Sequence, residues 1–197
     1  MMLSATPSRA SSSACLDRKF GDVRLEGILQ ANGGDGSSPP APHFRGADLP
    51  DLVLAEPPAN LVGKGSESGH GYHDDLRDLP KPEGAYHNTF TLNSRDKPYK
   101  YSTATAAVFA NENAAGLALD SLRGALRGGF ETRQVEGLGD DGSVFQNTDP
   151  TEPEYRYAWR TRKLLQVFDL VWSRGPASED TARRFAEKMD GLVPPVR

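Results

Sequence analysis

The sequence predicts an α+β fold: an antiparallel sheet of about five to six strands with two helices packed on one face. Three observations carry that prediction. Two segments place apolar residues at helical spacing behind a good N-cap. Six short segments are rich in β-branched and aromatic residues, as strands are. The turns between most of these segments are short, and strands joined by short turns must pair antiparallel.

Residues 1–48 read as a disordered or loosely ordered tail and linker, and residues 49–197 as a single α+β domain. Residues 1–18 are rich in Ser and Ala. Residues 19–30 carry a short apolar pattern that fits a strand or a helical turn equally. Residues 31–48 combine a Gly- and Ser-rich half, which is flexible, with a Pro-rich half, which is extended.

Ordered structure is expected to begin at 49–55 and to be stopped by Pro57 and Pro58. Residues 63–84, with five Gly and two Pro, read as a long polar loop. Tyr86–Asn93 reads as a strand in which Tyr86, Asn88 and Phe90 alternate with His87 and Thr89. The turn Ser94–Pro98 follows, and then the strand Tyr99–Phe109. A helix from Glu112 to about Arg127 is capped by Asn111, and its buried face is Ala115, Ala118, Leu119, Leu122 and Leu126. Gly128-Gly129 is expected to stop it in the left-handed region. Each buried leucine contributes roughly 1.5–3 kcal/mol. Four strands follow: Phe130–Glu136, Ser143–Asn147, Tyr155–Thr161 and Leu164–Trp172. Lys163 leaves room only for a very tight hairpin between the last two. The second helix starts at the N-cap Ser178, with Glu179 and Asp180 at its positive end and Ala182, Phe185, Ala186 and Met189 on its buried stripe. Pro194-Pro195 ends the fold.

Composition narrows function. The net charge is −4, and arginine outnumbers lysine 16 to 7 with acidic residues interspersed. No attractive field for nucleic acid results, and there is no polybasic run for an anionic membrane. The single cysteine, Cys15, excludes an intrachain disulfide. No stretch approaches the roughly 20 apolar residues of a transmembrane helix. The first residues lack the apolar region of about 7–15 residues that marks a signal peptide. Location is therefore open on these grounds.

No complete catalytic motif is present, and no cofactor is implied. The densest polar cluster is Gly69-His70-Gly71-Tyr72-His73-Asp74-Asp75. Imidazole and carboxylate are ligands for a divalent metal, so His70, His73 and Asp74 or Asp75, with His87, are candidate metal ligands. Their spacing matches no recognised zinc pattern. Gly63-Lys64-Gly65-Ser66 lacks the spacing of a phosphate loop. There is no Gly-x-Ser-x-Gly. Asp140 and Asp141 sit in a Gly-rich turn, where carboxylates most often accept from local backbone N–H groups.

The sheet says more. On 155–161, Tyr155, Tyr157 and Trp159 share one face, and Arg156 and Arg160 the other. On 164–172 both faces are apolar: Leu164, Phe168, Leu170 and Trp172 on one, Leu165, Val167 and Val171 on the other. A sheet covered on one side needs one such face. The surplus is either covered by the segment before Tyr86 or is a ligand or partner surface. In the second case Phe168 and Trp172 would meet the ligand, with Arg156 or Arg160 serving an anionic group if they border it.

The Ala- and Leu-rich helix Ala114–Leu126 is followed by Val135-Glu136-Gly137-Leu138-Gly139-Asp140, the charged strand Tyr155–Arg162, an apolar strand and the terminal helix Thr181–Leu192. Over roughly residues 49–193 this arrangement resembles actinobacterial cell-envelope proteins with a PsbP-like fold: small lipoproteins and the extracytoplasmic sensor domains of some serine/threonine kinases. The resemblance implies an exported domain that binds a small or lipidic ligand or a protein partner. The chain departs from that group at its start. No apolar segment precedes Cys15, and Ser12-Ser13-Ala14-Cys15 lacks the Leu that a lipobox carries three positions before its cysteine. The reading that follows is a non-enzymatic, sensor-like binding domain of the cell envelope. The alternatives are an intracellular interaction module using the same apolar face and a metal-assisted hydrolase using the His70–Asp75 loop.

Overall fold

The structure, a computed structural model, describes residues 46–55, 63–92, 99–173 and 177–194. The expected tail and most of the linker, the turn Ser94–Pro98 and Pro195 lie outside the described residues.

Seven strands form one sheet: β1 (Gly63–His70), β2 (Gly84–Leu92), β3 (Tyr99–Val108), β4 (Phe130–Val135), β5 (Asp141–Asn147), β6 (Glu154–Thr161) and β7 (Leu164–Trp172). Two helices accompany them, α1 (Glu112–Leu126) between β3 and β4 and α2 (Glu179–Asp190) after β7. The strand order is β1-β2-β3-β7-β6-β5-β4, and every neighbouring pair is antiparallel. The chain lays down a first meander, crosses with α1 to the far edge, and returns through a second meander whose last strand pairs with β3.

The predicted α+β class holds, with one strand more than expected. The extra strand is β1, in the stretch that reads as a polar loop. Its sequence, Gly-Lys-Gly-Ser-Glu-Ser-Gly-His, has no apolar alternation and little β-propensity. It is an edge strand, held through backbone pairing with β2 from Gly63↔Leu92 to His70↔Tyr86. Backbone pairing needs no side-chain signal.

The helices lie on opposite faces of the sheet, not on one. Ala182, Ala186 and Met189 of α2 join a core with Tyr157, Trp159, Phe168, Leu170 and Trp172, which Leu49, Leu52 and Leu54 of the N-terminal segment complete. Ala115, Ala118, Leu119 and Leu122 of α1 join a second core with Phe145, Ala158, Leu165 and Val167, which Leu76 and Leu79 complete. The apolar character of both faces of β7 follows: every residue of that strand is buried, because each face has a helix and a piece of the segment before Tyr86 over it.

The local signals mostly hold. Asn111 Oδ1 accepts from the Ala114 N–H at 2.9 Å, and Ser178 Oγ accepts from Thr181 N–H at 3.3 Å. Gly128 and Gly129 differ from expectation, since neither has a positive φ. The helix instead tightens into a final turn in which Gly129 N–H donates to Leu126 O at 3.2 Å. Left-handed backbone is needed in the β4–β5 turn, at Gly137 (φ 82°) and Gly139 (φ 53°). There a Cβ on Gly139 would lie 2.4 Å from Arg160 O. The β6–β7 hairpin places Arg162 at φ 55°, and Asp140 Oδ2 accepts from the Arg162 N–H at 2.6 Å. The turn carboxylate thus serves the neighbouring hairpin and not its own turn.

Candidate functional site

The two-residue hairpin at Arg162-Lys163 pairs Thr161 with Leu164. That register runs down both strands, setting Tyr157 opposite Phe168 and Arg156 opposite Asp169. Strand alternation then separates the expected ligand residues. Phe168 and Trp172 face the α2 side, where they are 1% and 2% exposed. Phe168 packs on the Phe185 ring with centroids 5.9 Å apart, and Trp172 meets Tyr155 edge to face at 6.1 Å. Both are core residues. Arg156 and Arg160 lie on the opposite face and do not border them. Arg160 serves the hairpin, where its Nη1 donates to Arg162 O at 3.2 Å and lies 3.6 Å from Asp140.

Arg156 is different. Its Nε donates to Asp169 Oδ1 at 2.5 Å, and its Nη2 lies 3.2 Å from Glu154 Oε1 and 3.6 Å from Asp75 Oδ2. The Phe130 ring lies over the guanidinium at 5.9 Å. The side chains of Arg156, Asp169 and Glu154 are 6%, 4% and 8% exposed, so the three charges are out of water. β3 lines the next row: Thr103, opposite Asp169, is buried and reaches Thr89 Oγ1 at 3.3 Å, and half-buried Tyr101 stands opposite Val171. The short 3₁₀ turn Asp74–Leu76 crosses above, anchored by buried Leu76. His73 Nδ1 lies 3.5 Å from Asp75 Oδ2, the His73 and His87 rings meet edge to face at 5.7 Å, and His87 Nδ1 is 3.1 Å from Gly71 O.

One guanidinium therefore serves three carboxylates. Burial pushes the Glu154 carboxyl up to about 7, and nearby Asp169 adds to the push while Arg156 opposes it. Burial likewise raises Asp169, against Arg156. Burial opposes the charge on Arg156, but Asp169, Glu154 and Asp75 more than offset it, so its pKa rises. Burial also raises Tyr101, reinforced by Glu154 and Asp169.

Of the expected metal ligands His73, Asp75 and His87 lie near one another, while His70 and Asp74 do not join them. β2 alternation puts Tyr86 and His87 on opposite faces; His70 contacts Tyr86 at 5.4 Å, whereas His73 contacts His87. Asp74 is exposed, and its backbone carbonyl accepts from Arg77 Nε. Among the described residues no three of His, Cys, Asp and Glu are placed to hold a metal ion. A surface concavity follows residues 134–142, and two of its carboxylates are engaged, Asp140 with Arg162 N–H and Asp141 with Arg123 at 2.6 Å.

Sequence reasoning missed Asp169 and Glu154. A signal was present: Asp169 interrupts the apolar run Leu164–Trp172, and a two-residue hairpin at 162–163 dictates that it faces Arg156.

No protein-family model matches the chain, and no curated protein matches its sequence. The fold is similar to the extracellular domain of PknH from Mycobacterium tuberculosis. The TM-score is 0.54 at 8% identity, over 80% of this chain and 98% of that one. At that identity the likeness concerns the fold alone, and to that extent the expected resemblance to an extracytoplasmic kinase domain holds. No helix among the described residues is long and apolar enough to cross a membrane.

Proposed function

We propose that this chain is a non-enzymatic, sensor-like binding domain of the bacterial cell envelope, and that its recognition surface is segment 71–79 with the sheet face beneath it. The observation that carries this reading is the buried cluster of Arg156, Asp169 and Glu154. Apolar residues of similar volume would serve stability equally well or better at such a position, so a buried charge cluster is a candidate functional site. Here it also reaches solvent, through Asp75 and His73, whose side chains are 44% and 25% exposed, and through half-buried Tyr101. The likeness to an extracellular domain supports the placement outside the cytoplasm. The ligand would be a small or lipidic molecule or a protein partner, contacting Asp75, Tyr101 and the Arg156 cluster instead of Phe168 and Trp172.

Scanning fluorimetry of the full chain tests this, with a panel of small amines, small organic acids and vesicles of anionic or zwitterionic lipid. A ligand at about 100 times its Kd stabilises by about 2.7 kcal/mol, a readily measured rise in Tm. The rise should shrink in Asp75→Asn and Tyr101→Phe and persist in Lys188→Gln, on the exposed side of α2. A ligand that shifts all three variants equally would place recognition elsewhere. Protection from added protease in intact cells would refute the envelope location.

A further inference from the structure

Asp75 Oδ2 and Glu154 Oε1 approach the same atom, Nη2 of Arg156, at 3.6 and 3.2 Å. The other face of the guanidinium is committed to Asp169 through Nε. Segment 71–79 and strand β6 therefore meet at one nitrogen, and the charge of Glu154 decides how strongly the segment is held there. When Glu154 is neutral, Nη2 can serve Asp75. When it is ionised, it sets a buried negative charge against Asp75 across the guanidinium that both approach.

The other groups around Glu154 do not remove this conflict. From the turn before β6, Glu152 is held by Lys100 of β3 at 2.6 Å, so that pair is neutral as a unit. Tyr101 of β3 stays protonated, because burial and then Glu154 raise its pKa. From β7, Asp169 adds a like charge. From the segment itself come Asp75 and, behind it, His73, which meets His87 of β2. Phe130 of β4 brings no charge. With all carboxylates ionised, three face one guanidinium.

We propose that Glu154 holds a proton while segment 71–79 is closed on the sheet, and that loss of this proton in more alkaline medium releases the segment from Arg156. The burial that raises Glu154 to about 7 puts the change near neutrality. The inference goes beyond the binding reading and does not depend on it, since the proton is the only species taken up.

Hydrogen exchange reads the segment directly. Gly71 N–H joins it to Ala85 O of β2 (2.7 Å), and its own turns are held by Leu76 N–H to His73 O (2.9 Å) and Leu79 N–H to Leu76 O (3.1 Å). Corrected for intrinsic exchange, protection at these amides should fall about tenfold between about pH 5.5 and about pH 8, one pK unit's worth of linkage, while β7 amides hold. Glu154→Gln, which mimics the neutral acid, should keep the protection of the acidic form at both values. Asp75→Asn, which removes the charge facing Glu154, should also abolish the dependence, and it serves if the glutamine variant does not fold. His73→Gln should leave the dependence as in wild type. The proposal is overturned if wild-type protection is flat, if Glu154→Gln and Asp75→Asn retain the dependence, or if His73→Gln alone removes it.

Discussion

Replacing Arg156 with Met tests the buried cluster most directly. The guanidinium is 6% exposed and is, among the described residues, the only cation within ion-pair distance of Asp169, which is itself 4% exposed. Methionine fills most of the volume but leaves Asp169 and Glu154 buried without a counter-charge. Breaking a buried ion pair from one side costs about 3–5 kcal/mol, against a total stability of about 5–15 kcal/mol for a domain. Arg156→Met should therefore lower the urea midpoint severely. Adding Asp169→Leu and Glu154→Gln removes the stranded charges, and the triple variant should return to wild-type stability or exceed it by about 1–4 kcal/mol. Trp159 and Trp172, both buried, supply the fluorescence signal for the unfolding curves. A loss under about 1 kcal/mol in the single variant, or a triple variant no more stable than the single, would refute the assignment of these charges to one unit.

Three further outcomes follow from the same geometry. Leu122, 2% exposed in the α1 core, cannot be made Asp without burying an unpaired charge, so Leu122→Asp should lose native circular dichroism; a soluble, natively folded variant would contradict the placing of α1. In the β4–β5 turn, Gly137→Ala meets open space and should cost about 1–2 kcal/mol for its left-handed backbone. Gly139→Ala adds a clash with Arg160 O at 2.4 Å and should cost about 1–3 kcal/mol more; equal effects in thermal melts would count against the described turn. Glu154 keeps its proton in the folded state up to about 7, while the unfolded chain releases it near 4.5. Its stabilising contribution is full below the lower value and is lost as pH rises through the upper one, so stability should decline across that window in wild type and decline less in Glu154→Gln. A stability that rises with pH there in the wild type, with no difference from the glutamine variant, would remove Glu154 from the account.

The helices, their N-caps and six of the seven strands were legible in the chain because their signals are local. Asn111 and Ser178 cap with their own side chains, Leu119 and Leu122 recur at the helical period, and β6 and β7 carry side chains suited to strands. β1 was not legible, since eight residues rich in Gly and Ser are held there by pairing with β2. Which face each helix would cover was not legible either, and the expectation that both share one face failed, because an apolar stripe states that it must be buried and not against what. The double-sided apolar pattern of β7 was correctly noticed, and it meant a strand buried between two helices. Arg156 stood out as a charge in a strand, but its meaning depended on register: a two-residue hairpin sets it opposite Asp169, on the far side from Phe168. Local periodicity encodes elements, whereas partners distant in sequence and the solvent they exclude are fixed only when the chain closes on itself, and the charge cluster is made of such partners.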